Sequence, residues 1–248
     1  MKNNITEMPD ISIVVLCYKT GKKIKSFVAN IIQELESNNI LNYELVLVGN
    51  YNTGTDDETP RIVAEIASNN KKIIYTAQEK TGMMGWDMRS GLDRARGNYI
   101  TFIDGDGQMP VSDIIRVYKK IKTENLDLVT TYRTTRGDGL WRKSISFCYN
   151  IIFSILFPGI NSRDINSKPK IFSRDVYNKL DLFSNDWFID AEIMIQVRRL
   201  RLNVAEIPTT FREIIDRKSF VRVPVIFEFI KNLIIFRIRE WKYKFKKI

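Results

Sequence analysis

Two carboxylates separated by one glycine, Asp104 and Asp106, directly follow an apolar run that ends at Ile103. A buried strand that ends in acidic side chains is unfavourable, because desolvated carboxylates lose free energy unless they are paired or bind a cation. Hard cations such as Mg²⁺ accept a few carboxylate oxygens and leave their other positions to water and phosphate oxygens. The pair therefore predicts a divalent metal site that binds a phosphate-containing substrate. The alternative is a solvent-exposed acidic loop.

The residue types that are absent narrow the chemistry further. The chain of 248 residues has no histidine and two cysteines, Cys17 and Cys148. These counts exclude Ser-His and Cys-His triads and argue against a zinc site. Both cysteines lie in apolar segments, which predicts buried, reduced thiols and a cytoplasmic chain. A general base, where the reaction needs one, has to be a carboxylate or another less common group.

The net charge is +10, and basic residues are concentrated between positions 212 and 248. Such a surface suits nucleic acid, anionic lipid or phosphate-rich ligands. No run of about 20 residues is apolar and free of charge, so the sequence predicts no transmembrane helix. The segment 221–248 mixes large apolar and basic residues. It predicts an amphipathic helix that either contacts an anionic membrane surface or packs on the domain.

The elements that must position the two aspartates alternate between strand and helix. Continuous apolar runs predict strands covered on both faces, and apolar residues at helical spacing predict the helices between them. This alternation indicates an α/β fold with a mostly parallel sheet flanked by helices, divided into a domain at 1–220 and a helical tail at 221–248. Strands are predicted at 11–17, 43–48, 72–76, 99–103 and 204–211, an extended segment at 165–172, and helices at 24–36, 59–68, 82–96, 111–122, 140–157, 187–200 and 221–246.

Ligands of such sheets bind at the carboxyl ends of the strands. Three polar segments follow predicted strands at that edge, at 18–22, 49–57 and 104–108. We therefore expect these three segments to converge on one ligand.

These residues together resemble family 2 glycosyltransferases with the Rossmann-like GT-A fold, and in particular the dolichyl- and polyprenyl-phosphate sugar synthases. The similarity covers about residues 11–220 and is most specific at Asp104–Gln108, where that branch has Asp-Ala-Asp followed by Gln. The resemblance implies a nucleotide-sugar donor and a Mg²⁺ or Mn²⁺ ion held by Asp104 and Asp106.

Further segments match the family in the expected order. Trp141–Ser146 is similar to its Arg-Lys-x-x-Ser element, and Phe188–Glu192 is similar to its Phe-x-Asp-x-Glu helix. The resemblance implies catalytic roles for Arg142, Asp164 and Asp190. It also implies donor or phosphate binding by a second group of residues: Tyr18, Asn50, Gln108, Arg133, Ser146, Arg212 and Ser219.

Two loops depart from the family. Its first strand usually ends in Tyr-Asn-Glu, where this chain has Tyr18-Lys19-Thr20, and its second ends in paired aspartates, where this chain has Gly49-Asn50. In the family these positions contact the base and the ribose, so the identity of the nucleotide stays open.

The acceptor also stays open. A polyprenyl phosphate is already anionic and needs positioning arginines, for which Arg133, Arg142 and Arg212 are the candidates. A saccharide hydroxyl of a growing surface glycan needs a carboxylate base, and Asp164 comes before Asp190 as the candidate. A third hypothesis is a degenerate transferase that acts as a basic binding protein. No nucleic-acid partner is expected, because basic residues cluster only in the tail.

Several residues also have purely structural interpretations. Asp190 and Glu192 could be a helix cap and a surface residue, and Lys170 could be either a phosphate ligand or a solvated side chain. The expected location is the cytoplasm, with peripheral contact at the inner face of the membrane.

Overall fold

The computed structural model describes residues 8–136, 139–160, 162–212 and 223–245, with the backbone alone at 135–136, 139–146, 223–227 and 241–245. The elements in chain order are β1 (Ile11–Leu16), α1 (Lys23–Ser37), β2 (Tyr43–Val48), α2 (Thr59–Ser68), β3 (Ile73–Thr76), α3 (Met84–Leu92), β4 (Tyr99–Asp104), α4 (Ser112–Thr123), β5 (Leu128–Arg136), α5 (Gly139–Leu156), β6 (Lys170–Ser173), α6 (Arg174–Lys179), α7 (Ile189–Arg199), β7 (Val204–Phe211) and α8 (Val223–Phe245).

The strands form one sheet in the order β3-β2-β1-β4-β6-β5-β7. Among the described strands, β6 alone runs antiparallel to its neighbours, which confirms the predicted mostly parallel sheet. Leu16 at the end of β1 pairs with Val48 on one side and with Asp104 on the other. The carboxyl ends of β1, β2 and β4 therefore meet, as predicted, at one edge of the sheet, which we call the carboxyl edge.

Both faces of the sheet are covered, which explains the continuous apolar runs. In β1, Ile13 and Val15 belong to one core and Val14 and Leu16 to the other, because successive side chains of a strand point to opposite faces. Helices α1, α2 and α4 contribute to the first core. Helices α3, α6, α7 and α8, together with Phe153 of α5, contribute to the second.

The bounds of β2, α2 and β7 agree with the predictions. The predicted helix at 82–96 is shorter, because α3 covers Met84–Leu92 alone. Glycines near both ends of the predicted helix approach distant backbone. A Cβ on Gly85 would lie 2.5 Å from the carbonyl oxygen of Ser184, and one on Gly97 would lie 2.6 Å from the nitrogen of Ser12. These contacts fix the entry and exit of the segment, so the chain turns toward β4 after Leu92.

Two other elements correct the predictions. The predicted extended segment at 165–172 forms strand pairs only from Lys170 onward. The short helix α6 was not predicted, although Ser173 is a recognisable N-cap whose hydroxyl accepts a hydrogen bond from the N–H of Val176. In addition, β5 continues to Arg136 in pairing with β7, so Arg133 lies within this strand.

The two cysteines have different environments. Cys17 is buried, as predicted, and burial raises the pKa of its thiol far above the ordinary value. Cys148 is exposed on α5, so the prediction that both thiols are buried is wrong for this residue. Its neighbour Phe147 is exposed as well, whereas Tyr149 on its other side packs against the second core.

Helix α8, within the predicted tail, packs on the second face of the sheet. Leu233 and Phe236 are buried, and the ring centroid of Phe236 lies 4.8 Å from that of Phe188. Arg198 of α7 forms an ion pair with Glu240 of α8 at 3.1 Å. The division into a domain and a separate tail stays a prediction, and these contacts favour a helix that is held by the domain.

A polar contact also joins α8 to the start of α3. Asn232 donates a hydrogen bond to the Asp186 carboxylate at 2.6 Å. The carbonyl of Asp186 in turn accepts from the N–H of Gly85 at 2.9 Å, and that of Asn185 accepts from Met83 at 2.7 Å. The loop before α7 therefore connects α8 to the helix that lies behind the carboxyl edge.

Replacing Phe236 by alanine should test whether α8 is part of the folded core. We expect Phe236→Ala to lower the free energy of unfolding by about 3 kcal/mol or more, because it removes a buried ring and leaves a cavity. Ile234 lies on the same helix and is 51% exposed, so Ile234→Ala should change it by about 0.5 kcal/mol or less. Urea denaturation measures both values, and equally small effects would contradict the packing of α8.

Candidate active site

The two aspartates lie at the carboxyl edge as the sequence predicts. Asp104 ends β4 and its side chain is 35% exposed. Asp106 is partly exposed, and its carboxylate accepts a hydrogen bond from the N–H of Gln108 at 3.0 Å. Gly107, between Asp106 and Gln108, has φ +77°, a left-handed conformation that glycine adopts without strain. This turn leaves both carboxylates accessible at the edge where ligands bind.

The loop with the aspartates is joined to the end of β7. The N–H of Arg212 donates to the carbonyl of Gln108 at 2.9 Å, and the Gln108 amide donates to the carbonyl of Arg212 at 3.3 Å. Arg212 is exposed. The structure thus brings together two predicted site residues from distant parts of the chain. Ser219 lies outside the described residues, as do the side chains of Arg142 and Ser146.

Asn50, at the end of β2, is fully buried and holds neighbouring elements together. Its amide donates to Asp87 at 3.0 Å and to Ser90 at 2.9 Å, and its oxygen accepts from the N–H of Gln78 at 3.0 Å. Asp87 also forms a buried ion pair with Lys80. Burial raises the pKa of the Asp87 carboxyl, and the contacts with Lys80 and Asn50 oppose that shift only in part. A direct role for Asn50 in nucleotide binding stays a prediction.

Tyr18, which follows β1, lies over this buried group. Its hydroxyl accepts a hydrogen bond from Asn52 at 2.9 Å, and the ammonium of Lys80 lies 4.4 Å from the centre of its ring. A cation at this distance from an aromatic face stabilises the ring position. The ends of β1 and β2 are therefore connected at the carboxyl edge, beside the aspartates that end β4.

Arg133 and Asp164, predicted for separate roles, form an ion pair. The guanidinium donates from Nε at 2.6 Å and from Nη2 at 2.8 Å to the two carboxylate oxygens. The carboxylate of Asp164 is buried. Because one arginine contacts both of its oxygens, Asp164 is held in place as the partner of a charged, bidentate pair.

Beneath the aspartates lies a cluster of four charged side chains, which we call the Asp190 cluster: Asp104, Lys168, Lys170 and Asp190. The carboxylate of Asp190 lies 2.6 Å from the ammonium of Lys170 and 3.0 Å from that of Lys168. The ammonium of Lys168 also lies 3.5 Å from the carboxylate of Asp104. Apart from Asp104, the members are buried.

Burial and the neighbouring charges shift the pKa values of the cluster in opposite directions. Burial raises the pKa of Asp190, but the two lysines outweigh it and hold the pKa below its ordinary value. Burial lowers the pKa of Lys168, but Asp104 and Asp190 outweigh it and the net pKa is raised. For Lys170 burial dominates and the pKa is lowered. Asp190 and Lys168 are therefore charged at neutral pH.

The buried cluster corrects three structural interpretations. Asp190 and Glu192 are not a helix cap and a surface residue, because both are buried, and Glu192 accepts a hydrogen bond from the N–H of Ser184 at 2.8 Å. Lys170 is fully buried, so it is not a solvated side chain. Lys168 was missed. The signal was a second lysine two residues before Lys170, since alternate residues of an extended segment lie on one side.

The donor set at Asp104 and Asp106 fits a hard divalent cation. Among the described residues, no three Asp, Glu, Cys or His side chains lie together in a way that could enclose a metal ion. Mg²⁺ and similar ions do not need such an enclosure, because they bind through one or two carboxylates and complete their shell with water and substrate phosphates. Two accessible carboxylates at a ligand-binding edge meet that requirement.

Residues 12–181 match the sequence model of Glycosyl transferase family 2. The chain belongs to this family. The transferase resembles curated relatives over most of its length. Dolichyl-phosphate beta-glucosyltransferase ALG5D of Trichomonas vaginalis is 23% identical over 96% of this chain and 77% of that protein. The dolichyl-phosphate beta-glucosyltransferase of Saccharomyces cerevisiae is 26% identical over 92% of this chain and 74% of that protein.

The fold of the transferase agrees with a solved structure. Glucosyl-3-phosphoglycerate synthase from Mycobacterium tuberculosis, in complex with Mn²⁺, UDP-glucose and phosphoglyceric acid, aligns with a TM-score of 0.63 at 16% identity, over 93% of this chain and 80% of that one. The predicted GT-A fold is thereby confirmed. In the described part of the transferase, no helix combines the length and the apolar composition that crossing a bilayer requires.

Removing the charge of Asp190 should destabilise the transferase. We expect Asp190→Asn to lower the free energy of unfolding by about 3 kcal/mol or more, because two buried ammonium groups lose their shared carboxylate. Asp181 is exposed, and Asp181→Asn should have little effect. Chemical denaturation at pH 7 gives both values.

The contribution of Asp190 to the free energy of unfolding should change with pH in one direction. Because the pKa of Asp190 is lowered in the folded state, its contribution is present above the unfolded pKa of about 3.9 and is lost as the pH falls through the folded value. The difference between wild type and Asp190→Asn should therefore narrow toward acid pH. A difference that is constant or grows there would contradict the ion-paired assignment.

Proposed function

We propose that this transferase is a metal-dependent, inverting enzyme that moves a sugar from a nucleoside diphosphate to a polyprenyl phosphate. The observation that carries the proposal is the position of Asp104 and Asp106 at the carboxyl edge, beside the ends of β1 and β2. The names of the two dolichyl-phosphate glucosyltransferases above support the acceptor class.

The donor half of the site follows from its charges. Asp104 and Asp106 would hold Mg²⁺ or Mn²⁺, which when bound supplies positive charge to the diphosphate that leaves. Arg212 lies beside the same loop, because its backbone N–H donates to the carbonyl of Gln108 and its carbonyl accepts from the Gln108 side-chain amide. An exposed guanidinium at that place can bind a phosphate through two N–H groups. Tyr18 lies at the neighbouring strand end, where we place the nucleoside.

The state of the carboxylates favours a phosphate acceptor over a hydroxyl acceptor. A hydroxyl needs a general base within hydrogen-bond reach, and the two candidates are Asp164 and Asp190. Asp164 is engaged by Arg133 through both oxygens, and Asp190 is buried between two lysines. A lipid phosphate carries its own negative charge and needs no base. Transfer to a saccharide hydroxyl is the second candidate, and no contact of these carboxylates favours it.

Peripheral contact with a membrane is part of the proposal. Helices α5 and α8 touch through Tyr149 and Phe229, whose ring centroids lie 5.2 Å apart. Each helix exposes a row of apolar side chains at four-residue spacing: Phe147, Ile151 and Ile155 on α5, and Ile230, Ile234 and Ile238 on α8. We call these two rows the apolar rows. Residues four apart lie on one side of a helix.

The charge beside the apolar rows indicates which surface they fit. Lys231 and Arg239 are exposed on α8 between and after the isoleucines, and the whole chain carries a net charge of +10. Apolar side chains flanked by basic ones bind the interface of a bilayer that contains anionic lipid. A lipid-phosphate acceptor would be presented to the transferase at that interface.

Calorimetry with nucleoside diphosphates tests the donor site. We expect one of UDP, GDP and dTDP to bind in the presence of Mn²⁺, and binding to be lost in EDTA and in Asp106→Asn. Asp175→Asn is the matched control, because this exposed residue follows β6 at the edge of the sheet opposite the carboxyl edge. If no nucleotide binds wild type, the departures at Tyr18 and Asn50 have abolished the donor site and the proposed function is wrong.

Vesicle sedimentation tests the membrane contact. The double variant Ile151→Glu/Ile234→Glu should bind vesicles of phosphatidylglycerol and phosphatidylcholine at least about tenfold more weakly, because two apolar side chains can no longer enter the interface. Leu41→Glu makes the same change at an exposed position before β2, at the opposite edge. It should bind like wild type. Equal binding by all three proteins would exclude the apolar rows as the contact surface.

A further inference from the structure

Lys168 is a buried cation at the base of the candidate metal site. Its side chain is 5% exposed, and its ammonium lies 3.0 Å from Asp190 and 3.5 Å from Asp104. Asp190 already has a closer partner in Lys170, at 2.6 Å. Lys168 is therefore a second cation beside a carboxylate that one cation could balance.

The charge balance of the cluster makes Asp104 its fourth member. When both lysines are protonated, they carry one more unit of charge than Asp190, and Asp104 is the carboxylate that lies next to the second ammonium. A buried cation without such compensation would be strongly destabilised. The carboxylate of Asp104 thus lies next to Lys168 inside the protein and is partly exposed toward a ligand.

The two possible partners of Asp104 compete. A divalent ion bound by Asp104 and Asp106 would share a carboxylate with an ammonium that is already close to it, and the two cations would repel each other. The diphosphate of a donor would add negative charge at the same place and remove this conflict. The free protein should therefore bind metal poorly, and the protein with nucleotide should bind it well.

We propose that Lys168 makes metal binding depend on the nucleotide. Its ammonium balances Asp104 while the site has no donor, and the nucleoside diphosphate is required before a divalent cation binds tightly. This inference rests on the proposed function, because it assumes that Asp104 and Asp106 hold the metal. Lys168 is a positioning residue in this account, since it acts through Asp104.

Binding of Mn²⁺, followed by electron paramagnetic resonance of the free ion, tests the proposal without measuring activity. For wild type we expect weak binding of Mn²⁺ alone and much tighter binding with a saturating concentration of UDP, GDP or dTDP, whichever binds in the calorimetry. In Lys168→Met the affinity of the nucleotide-free protein for Mn²⁺ should rise at least about tenfold, and the enhancement by nucleotide should fall by a similar factor.

Two further variants keep the test decisive. Lys72→Met removes the same charge from a lysine before β3, at the edge opposite the site, and should keep the wild-type constants. Lys168→Gln, which can still donate a hydrogen bond to Asp190, replaces Lys168→Met if the latter does not fold. Unchanged Mn²⁺ constants in the Lys168 variant would overturn this inference alone. Absence of Mn²⁺ binding by wild type with bound nucleotide would overturn the proposed metal dependence as well.

Discussion

The carboxylate of Asp190 has to be neutralised where it lies, since a buried charge without a partner would cost several kcal/mol. Its two partners, Lys168 and Lys170, come from one short segment that leads into β6. This ion-paired group therefore joins α7 to the strand that lies between β4 and β5. Because Lys168 also reaches Asp104, the end of β4 is held from below by the same charges.

The turn that carries the two aspartates is held at both ends. The loop from Asp104 to Gln108 contains two glycines and is partly exposed, its first residue lies beside a buried ammonium, and its last is joined to the end of β7. A carboxylate that is held by an ion pair and is also partly exposed can bind a ligand reversibly. The second pair, Arg133 with Asp164, connects β5 to the segment before Lys168 in the same manner.

Local patterns predicted the parts of the fold that local physics determines. Runs such as Ile11–Leu16 must be strands covered on both faces, and the spacing of apolar residues in Thr59–Ser68 is sufficient for a helix. The ends of α3 were not predictable in this way. They depend on glycines that touch the backbone at Ser184 and Ser12, which are distant in sequence.

The candidate site, too, was predictable only where local sequence determines it. The junction of a buried strand with Asp104 and Asp106 can be recognised in the sequence. Carboxylates at such a place are unfavourable unless they are paired or bind a cation. The roles of Asp164 and Arg133 were predicted separately, and their pairing was not, since it requires β5 to continue through Arg133. Lys168 was missed because a lysine in a polar segment is ordinarily solvated. It is buried by contacts with residues that are distant in the sequence, Met84 of α3 and Asp190 of α7.

The contact between Asn232 and Asp186 affects how shortened forms of this transferase can be compared with the whole chain. Asp186 supports Gly85 at the start of α3, and α3 holds Asn50 through Asp87 and Ser90. A chain that ends before α8 therefore loses more than its apolar row. It also loses a support that reaches Asn50 at the carboxyl edge through two hydrogen bonds and one helix. Altered kinetics in such a truncation would therefore combine the loss of a surface with a change at the carboxyl edge.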